Sequence, residues 1–364
     1  MTNISENSHY KARYWHMLGD GRMQCDLCPR DCRLHEGQRG ACFVRMREHD
    51  EMILTTYGRS SGFCIDPIEK KPLNHFFPGS SVLSFGTAGC NLACKFCQNW
   101  DTSKSRDMHK MMDQASPEAI SYAAKQYGCK SVAFTYNDPT IFAEYAMDVA
   151  DACHAHDIKT VAVTAGYMHA AARRDFYQKI DAANVDLKAF SEDFYSKVTG
   201  SHLGSVLDTL RYLKHETDVW LEITTLLIPG QNDSEEEITA MCKWIHQNLG
   251  DDVPHHFSAF HPDYKMTDIP ATPTSTLIRA REIALRESLQ YVYTGNVHHQ
   301  EGDTTFCPNC HSQLIVRDWY QINQYRLTRG GCCPDCNTPI AGRFDAQPGN
   351  FGRRRIPIAI GQYT

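Results

Sequence analysis

Between residues 82 and 296, the sequence alternates short apolar segments with amphipathic ones. The apolar segments are typical of buried strands, and the segments between them carry helix signals. One such signal is Ser234 followed three residues later by Glu237, a capping box that marks a helix start. Six strand–helix units and a further strand at 289–296 imply parallel strands joined by right-handed crossovers. The pattern therefore predicts an α/β fold with too few units for a closed eight-stranded barrel.

The first strand of this region, VLSFG at 82–86, leads into a loop of closely spaced cysteines. The loop, AGCNLACKFCQN at 88–99, holds Cys90, Cys94 and Cys97 in a C-x3-C-x2-C arrangement. Soft thiolates favour iron–sulfur centres, and a [4Fe–4S] cluster normally takes four cysteine ligands. With three local ligands, one iron is left open to bind something else. The alternatives are three buried thiols or three ligands of a zinc site.

A C-x3-C-x-aromatic-C loop after a strand, with Phe96 as the aromatic residue, resembles the radical S-adenosylmethionine (radical SAM) enzymes. GCNLACKFCQN further resembles the glycyl-radical-enzyme activases, such as the pyruvate formate-lyase activating enzymes. The similarity continues through TYNDPT, VDLK, LLIPGQNDS, FHPDYKM, YVYTGN and a CPNC/CPDC pair. This set resembles the AmmeMemoRadiSam group, which is named for the partner domains that accompany it. The resemblance implies a partial (β/α)6 barrel, related to the TIM barrel, that forms a radical SAM core.

The resemblance also implies a radical oxidoreductase activity, with Cys90, Cys94 and Cys97 as the catalytic cluster ligands. S-adenosylmethionine (SAM) chelates the open iron, and a donor such as flavodoxin or ferredoxin supplies an electron. Reductive cleavage then yields methionine and a 5′-deoxyadenosyl radical that abstracts hydrogen from an unknown substrate. Similarity to the activases suggests a protein glycine as the hydrogen donor, and hence a protein substrate as a possible partner.

Functional groups of βα folds gather at the C-terminal ends of the strands, so the residues there are candidate SAM contacts. Asn137 and Asp138 stand where the family commonly has Gly and Glu. Alternation along a strand puts Asp186 and Lys188 on one face, like the activase pair that holds the SAM amino and carboxylate groups. A surface ion pair is the alternative for that pair. The candidate cofactor contacts are Phe96, Asn137, Asp138, Thr164, Asp186, Lys188 and His261.

Other residues near the expected site have less defined roles. Lys70 and His75 are candidates for its rim, with solvated loop residues as the alternative. Cys64, in a connector rich in Pro and Gly, is predicted to be structural. Glu144 is predicted to lie at the surface or to cap a helix. Thr224 is predicted to share with Glu222 a strand face that lines the barrel interior.

Two further groups of cysteines flank the predicted barrel, which we place at 81–300. The segment 1–80 holds Cys25, Cys28, Cys32 and Cys42, a four-thiol set that suits structural zinc or an auxiliary iron–sulfur cluster. The segment 301–364 holds two C-x2-C knuckles, which predict a zinc-ribbon-like domain, with iron as the rival metal. In the second knuckle, the CP-x-C repeat selects Cys333 over Cys332 as the ligand. The predicted C-terminal ligands are Cys307, Cys310, Cys333 and Cys336.

Composition limits the remaining function classes. A net charge of −6 argues against a nucleic-acid partner, in spite of three arginines at 353–355. The N-terminus lacks signal-peptide features and no apolar run spans a membrane, so we expect a cytoplasmic protein without a membrane partner. The 16 cysteines lie mostly in clusters, which in a reducing compartment indicates metal sites rather than disulfides. The alternatives to the main hypothesis are a non-catalytic iron–sulfur/zinc electron-transfer module and an RNA-modifying radical SAM enzyme.

Overall fold

The computed structural model describes residues 9–104 and 113–363 of the chain. The first eight residues, part of the stretch without signal-peptide features, lie outside this range. Residues 9–54 form small antiparallel sheets, in which β1, β6 and β5 pair in that order and β2, β3 and β4 form another group. Their strands are β1 (Tyr10–Lys11), β2 (Trp15–Met17), β3 (Met23–Cys25), β4 (Arg33–Leu34), β5 (Arg45–Glu48) and β6 (Glu51–Leu54).

The middle of the chain alternates strands and helices. It begins with β7 (Arg59–Pro67), β8 (Ser81–Gly86), α1 (Trp100–Ser103), β9 (Asp113–Gln114), α2 (Pro117–Gln126), β10 (Ser131–Phe134) and α3 (Ala143–His154). It continues with β11 (Lys159–Thr164), α4 (Ala170–Tyr177), β12 (Ala182–Asp186), α5 (Glu192–Phe194), α6 (Leu203–Glu216) and β13 (Trp220–Leu227). It ends with α7 (Glu235–Leu249), β14 (His255–Ala259), α8 (Thr274–Arg286) and β15 (Val292–Gly295).

One large sheet organises these elements. Its parallel strands lie in the order β15–β14–β13–β12–β11–β10–β8, so consecutive strands are neighbours and each returns through a helical crossover. In the described part of the chain, β8 and β15 do not pair with each other, so the barrel stays open. The predicted α/β fold, a partial (β/α)6 barrel with a mostly parallel sheet, is therefore confirmed.

The edge of this sheet beyond β8 is antiparallel. Strand β7 pairs with β8, and β19 (Ile356–Pro357) pairs with β7. The sequence predicted a connector around Cys64, and that prediction is wrong. Serines and glycines hide the strand pattern there, although Phe63, Cys64 and Ile65 are all buried. Because β7 and β19 belong to the large sheet, this sheet extends beyond the predicted barrel limits of 81 and 300 at both ends. The three-domain division of the chain stays a prediction.

Helix starts show how local signals and tertiary contacts combine. Ser234 caps α7 by accepting a hydrogen bond from the Glu237 backbone N–H. The Glu237 carboxylate does not complete the predicted capping box, because it accepts from the Phe190 backbone N–H at 2.6 Å instead. Helix α4 was not predicted from the sequence. It begins after His169, which is not a typical capping residue and makes no side-chain cap hydrogen bond. The side chain of Glu237 therefore ties α7 to the loop after β12.

The C-terminal part adds α9 (Gln300–Asp303), β16 (Thr305–Phe306), β17 (Gln313–Asp318) and β18 (Gln321–Tyr325). Strands β16, β17 and β18 form an antiparallel sheet, which has a small core of its own around Leu314 and Ile315. Arg317 fastens this sheet to the barrel rim, because it is fully buried and donates to the Asn74 carbonyl at 2.7 Å. Among the described residues, no helix has both the length and the apolar character to cross a bilayer.

Candidate functional site

The C-terminal ends of the parallel strands surround a cavity of about 250 Å³. The loop after β8 lines one side of it, and the ends of β10, β11 and β12 line the other. His261 lies outside this lining; its exposed ring has Nδ1 3.3 Å from the Pro262 carbonyl oxygen. The predicted cluster and SAM residues that share the cavity are Cys90, Cys94, Phe96, Cys97, Asn137, Asp138, Thr164, Asp186 and Lys188.

The start of the cysteine loop is held from two sides. Gly89 has φ +87°, and a Cβ at this position would lie 2.1 Å from the Cys42 carbonyl oxygen. Only glycine fits there, since other residues meet both a steric clash and a left-handed backbone. Asn137 accepts from the Thr87 backbone N–H at 3.1 Å and donates to the Gly89 carbonyl at 2.8 Å. Asn137 thus positions the backbone that leads into Cys90.

The loop thiols fit a cluster better than a single zinc ion. Tetrahedral zinc with bonds of about 2.3 Å holds its sulfur atoms about 3.8 Å apart. Among the described residues, Cys90, Cys94 and Cys97 do not form a group with all sulfur atoms within 4.8 Å. Burial raises the pKa of Cys90, and that of Cys94 to about 12, although Lys188 lowers it. Buried thiols of this kind need a metal to be held as thiolates.

Asp138 connects the ends of two neighbouring strands. Its carboxylate accepts from the Thr140 backbone N–H at 2.9 Å, the Thr164 hydroxyl at 3.1 Å and the Ala165 backbone N–H at 2.9 Å. Burial raises the pKa of Asp138, and these donors act against that rise. The carboxylate therefore orders the turn after β11.

Asp186 and Lys188 form an ion pair at the cavity wall, with Nζ and Oδ2 2.8 Å apart. The Lys188 side chain is 13% exposed and that of Asp186 is 35% exposed, so the pair is largely shielded from solvent, which favours a functional role over a solvated surface pair. Burial alone would lower the pKa of Lys188, but Asp186 and the Cys94 thiol raise it above its usual range. The ammonium also lies 5.7 Å from the centre of the Phe96 ring. This cation therefore lies between a carboxylate, an aromatic face and the cysteine loop.

The cavity lining also includes residues that were not predicted to contact the cluster or SAM. Thr224 lines the cavity as its alternation with Glu222 predicted, and its buried Oγ1 has no hydrogen-bond partner among the described residues. Tyr136 and Asn296 each follow a strand and adopt positive φ, +71° and +60°. Strained backbone of this kind concentrates at functional sites. The left-handed turns were not visible as a sequence pattern, because neither residue is glycine.

Glu144 and His75 are structural. Glu144 is fully buried and forms a bidentate pair with Arg45 at 2.9 and 3.0 Å, so its prediction as a surface or capping residue is wrong. The partner lies 99 positions earlier in the chain, which local sequence reasoning does not reach. His75 is buried between the Ala341 carbonyl and the Tyr293 hydroxyl, both at 2.6 Å. It therefore does not form part of a solvated rim.

The N-terminal cysteines lie beside the cysteine loop. Cys25, Cys28 and Cys42 are buried, and Cys32 is partly exposed. Burial raises the pKa of the three buried thiols, and the neighbouring cysteines of the set raise each pKa further. Within the described ranges, this set also does not gather all its sulfur atoms within 4.8 Å. Arg30 joins it to the cysteine loop by donating to the Asn91 carbonyl at 2.7 Å.

The C-terminal cysteines are more compact. The sulfur atoms of Cys307 and Cys336 are 3.5 Å apart, and those of Cys310 and Cys333 are 3.6 Å apart. All four ligand atoms lie within 4.8 Å of one another. These separations match the edges of a tetrahedral zinc site. Cys332 is not in the group, and its thiol points to the Gly330 carbonyl at 3.7 Å. The preference for Cys333 over Cys332 agrees with this geometry.

Replacing Cys333 by serine is expected to remove the metal from the C-terminal site and to lower the thermal unfolding midpoint by roughly 10 °C, because a structural metal contributes to folding. Metal content by mass spectrometry and a thermal melt measure both effects. Cys332→Ser, at the adjacent position, is the matched control and should retain both. Equal losses in the two variants would contradict the assignment.

The chain is similar to several known proteins. Residues 85–242 match the model of the radical SAM superfamily. An uncharacterized protein from Methanocaldococcus jannaschii is 38% identical over 307 residues, which make up 84% of this chain and 91% of that protein. The pyruvate formate-lyase-activating enzyme of Listeria monocytogenes is 24% identical over 58% of this chain and 83% of that enzyme. A crystal structure of a radical SAM methyltransferase from Sphaerobacter thermophilus has 13% identity and a TM-score of 0.48, covering 82% of this chain and 79% of that one.

These matches confirm the predicted resemblance to radical SAM enzymes and a distant homology to activating enzymes. The narrower assignment to the AmmeMemoRadiSam group stays a prediction.

Proposed function

Because residues 85–242 form a radical SAM domain, we propose that Cys90, Cys94 and Cys97 hold a [4Fe–4S] cluster and that the adjoining cavity binds SAM. The observation that carries this proposal is that the three thiols and the partly buried Asp186–Lys188 pair line one cavity. When bound, the cluster and SAM supply reductive cleavage to methionine and a 5′-deoxyadenosyl radical, which abstracts hydrogen from the substrate.

The residues of the chain bind, orient and exclude water, while the cofactors supply the chemistry. Lys188 offers N–H donors to a carboxylate, and Asp186 accepts from an ammonium, so the pair suits an amino acid group. The unpartnered hydroxyl of Thr224 gains a partner when the cavity is filled. Asn137 and Asp138 are positioning residues that fix the cysteine loop and the Thr164 turn. His261, which is exposed outside the lining, has no part in this proposal.

The activating-enzyme relatives support a protein as one candidate substrate. The sequence resemblance to the activases adds a protein glycine as the hydrogen donor and flavodoxin or ferredoxin as the class of reductant. The test is anaerobic. The full chain is reconstituted with iron and sulfide, mixed with dithionite and SAM, and assayed for 5′-deoxyadenosine. Formation of 5′-deoxyadenosine by the native chain, and its loss in Cys94→Ala, supports the proposal. A fully loaded cluster that binds SAM but never cleaves it, with dithionite or with a flavodoxin, would contradict it.

The metal content tests the two outer cysteine sets. We propose an auxiliary iron–sulfur cluster at Cys25, Cys28, Cys32 and Cys42, because that set is not compact, and zinc at the C-terminal set, because that one is. The reconstituted chain should hold about eight irons and about one zinc. Cys28→Ala should lose about four irons and keep the zinc. A result of about four irons and two zincs would assign zinc to both outer sites instead.

A further inference from the structure

A second cavity, of about 330 Å³, lies next to the cluster cavity. Tyr136 and Asn296 belong to the lining of both, so the two cavities share a wall. The second cavity is built from distant parts of the chain. Lys70 and Lys71 come from the turn after β7, and Trp319 and Tyr320 come from the β17–β18 hairpin. Its volume is at the lower end of the range of about 300–1,000 Å³ typical of small-molecule sites.

The lysines of this cavity share one counterion. Lys70 and Lys71 each donate from Nζ to Asp66, to different carboxylate oxygens and both at 2.8 Å. Asp66 is fully buried, and the Lys71 side chain is only 4% exposed. One carboxylate therefore balances two ammonium groups, which leaves an excess positive charge. Each ammonium has three N–H donors and uses one on Asp66, so further donors stay available to a ligand.

The other charged groups of the lining do not cancel this excess. Glu69 faces Arg317 at 3.9 Å, and both are fully buried. His256 is bonded to Glu222 at 2.7 Å. Burial raises the pKa of Asp303 to about 7, in spite of Arg317, so this carboxyl is only partly charged at neutral pH. Leaving out His256, the lining itself therefore holds three cationic side chains, Lys70, Lys71 and Arg317, against the two acidic ones, Glu69 and Asp303.

We propose that this second cavity binds the substrate, and that the substrate is a small molecule with a phosphate or carboxylate group held by Lys70 and Lys71. Trp319 and Tyr320 provide an aromatic, partly apolar wall for the rest of the molecule. The proposal rests on the proposed function, because a shared wall with the SAM cavity brings a bound molecule to the radical. A protein glycine carries no anionic group, so this charge distinguishes the two substrate classes.

The C-terminal sheet belongs to the same site. Its hairpin contributes Trp319 and Tyr320, and Arg317 at the end of β17 bonds to the Asn74 carbonyl across the cavity base. The C-terminal sheet therefore supplies part of the wall of the second cavity.

The test measures binding of inorganic phosphate to the full chain by equilibrium dialysis. Lys70→Gln is the test variant, because Lys70 is 36% exposed and its removal leaves the Lys71–Asp66 pair intact. We expect binding about tenfold weaker, near the lower end of the usual effect of losing one charge-assisted hydrogen bond, because Lys70 is partly exposed. Lys130→Gln is the matched control, since Lys130 is 39% exposed, is paired with Asp345 and lies outside the cavity.

Two additional measurements complete the test. Malonate should show the same loss in Lys70→Gln, while its neutral diamide should bind more weakly than malonate to the native chain. When the cluster is reduced and paramagnetic, the ³¹P signal of phosphate should be broader than with the cluster-free protein, because bound phosphate lies near the cluster. Lys70→Gln should reduce this additional broadening. Equal phosphate binding by the native chain and Lys70→Gln, or equal binding of malonate and its diamide, overturns the proposal. Dialysis does not require the cluster, so a failure to form 5′-deoxyadenosine counts against the proposed function alone.

Discussion

Replacing Cys94 by alanine is expected to abolish 5′-deoxyadenosine formation and the visible absorbance of the cluster, while the zinc content stays unchanged. Cys94 is the middle ligand of the loop and is buried against Lys188, so no water-exposed group replaces its sulfur. Two remaining thiolates are too few to hold a cubane cluster, which normally takes four cysteine ligands and has three in this loop. We expect the rate to fall by a factor of about 1,000 or more, which corresponds to about 4 kcal/mol in the activation barrier.

Cys129→Ala provides the matched control for this change. Cys129 is equally buried, at 5% exposed, but lies between α2 and β10, outside the described lining of the cluster cavity. It should keep the absorbance and the activity within about twofold, because removal of a small apolar group costs mainly packing energy. Two outcomes would contradict the assignment. One is a Cys94→Ala protein that still forms 5′-deoxyadenosine, and the other is loss of zinc in place of iron.

The main sheet was predictable because its strands are buried on both faces. Such strands read as continuous apolar runs, as in VLSFG, and the helices between them carry their own start signals. Strand β7 was not predictable on this basis. It runs antiparallel at the edge, and its first half is Arg-Ser-Ser-Gly, a composition typical of turns. The neighbouring strand, and not local preference, determines the conformation of this segment.

The site was predictable where a spacing carries the chemistry. The cysteine spacing and the Asp186–Lys188 alternation both place side chains on one surface without knowledge of distant contacts. Positioning contacts were not predictable in this way. Asp138 bonds to Thr164 across 26 positions, and Arg45 bonds to Glu144 across 99. Long-range pairs of buried polar groups leave no periodic pattern in the sequence, because each group needs only one partner anywhere in the fold.

Replacing Lys188 by methionine is expected to weaken SAM binding about 30-fold or more, while the iron content stays unchanged. Methionine keeps most of the buried hydrocarbon but removes the ammonium, so the Asp186 carboxylate loses its 2.8 Å partner and the ligand carboxylate loses a donor. Truncation of one member of a buried charge pair costs about 2–5 kcal/mol in binding, and the lower end applies here because the Asp186 carboxylate is 35% exposed. Anaerobic equilibrium dialysis with labelled SAM measures the affinity, and iron analysis of the same sample checks the cluster.

Lys197→Met is the control, because Lys197 also pairs with an aspartate, Asp193, but at the surface. The two side chains of this control pair are 70% and 81% exposed. A solvated pair of this kind contributes about 0–1 kcal/mol, so SAM affinity should change by less than about fivefold. The double variant Asp186→Asn with Lys188→Met tests whether the pair acts as a unit. If it does, the loss of SAM affinity in the double variant is smaller than the sum of the losses, in free energy, of Asp186→Asn and Lys188→Met alone. Unchanged affinity in Lys188→Met would remove this pair from the SAM site and leave it as a structural contact between β12 and the cysteine loop.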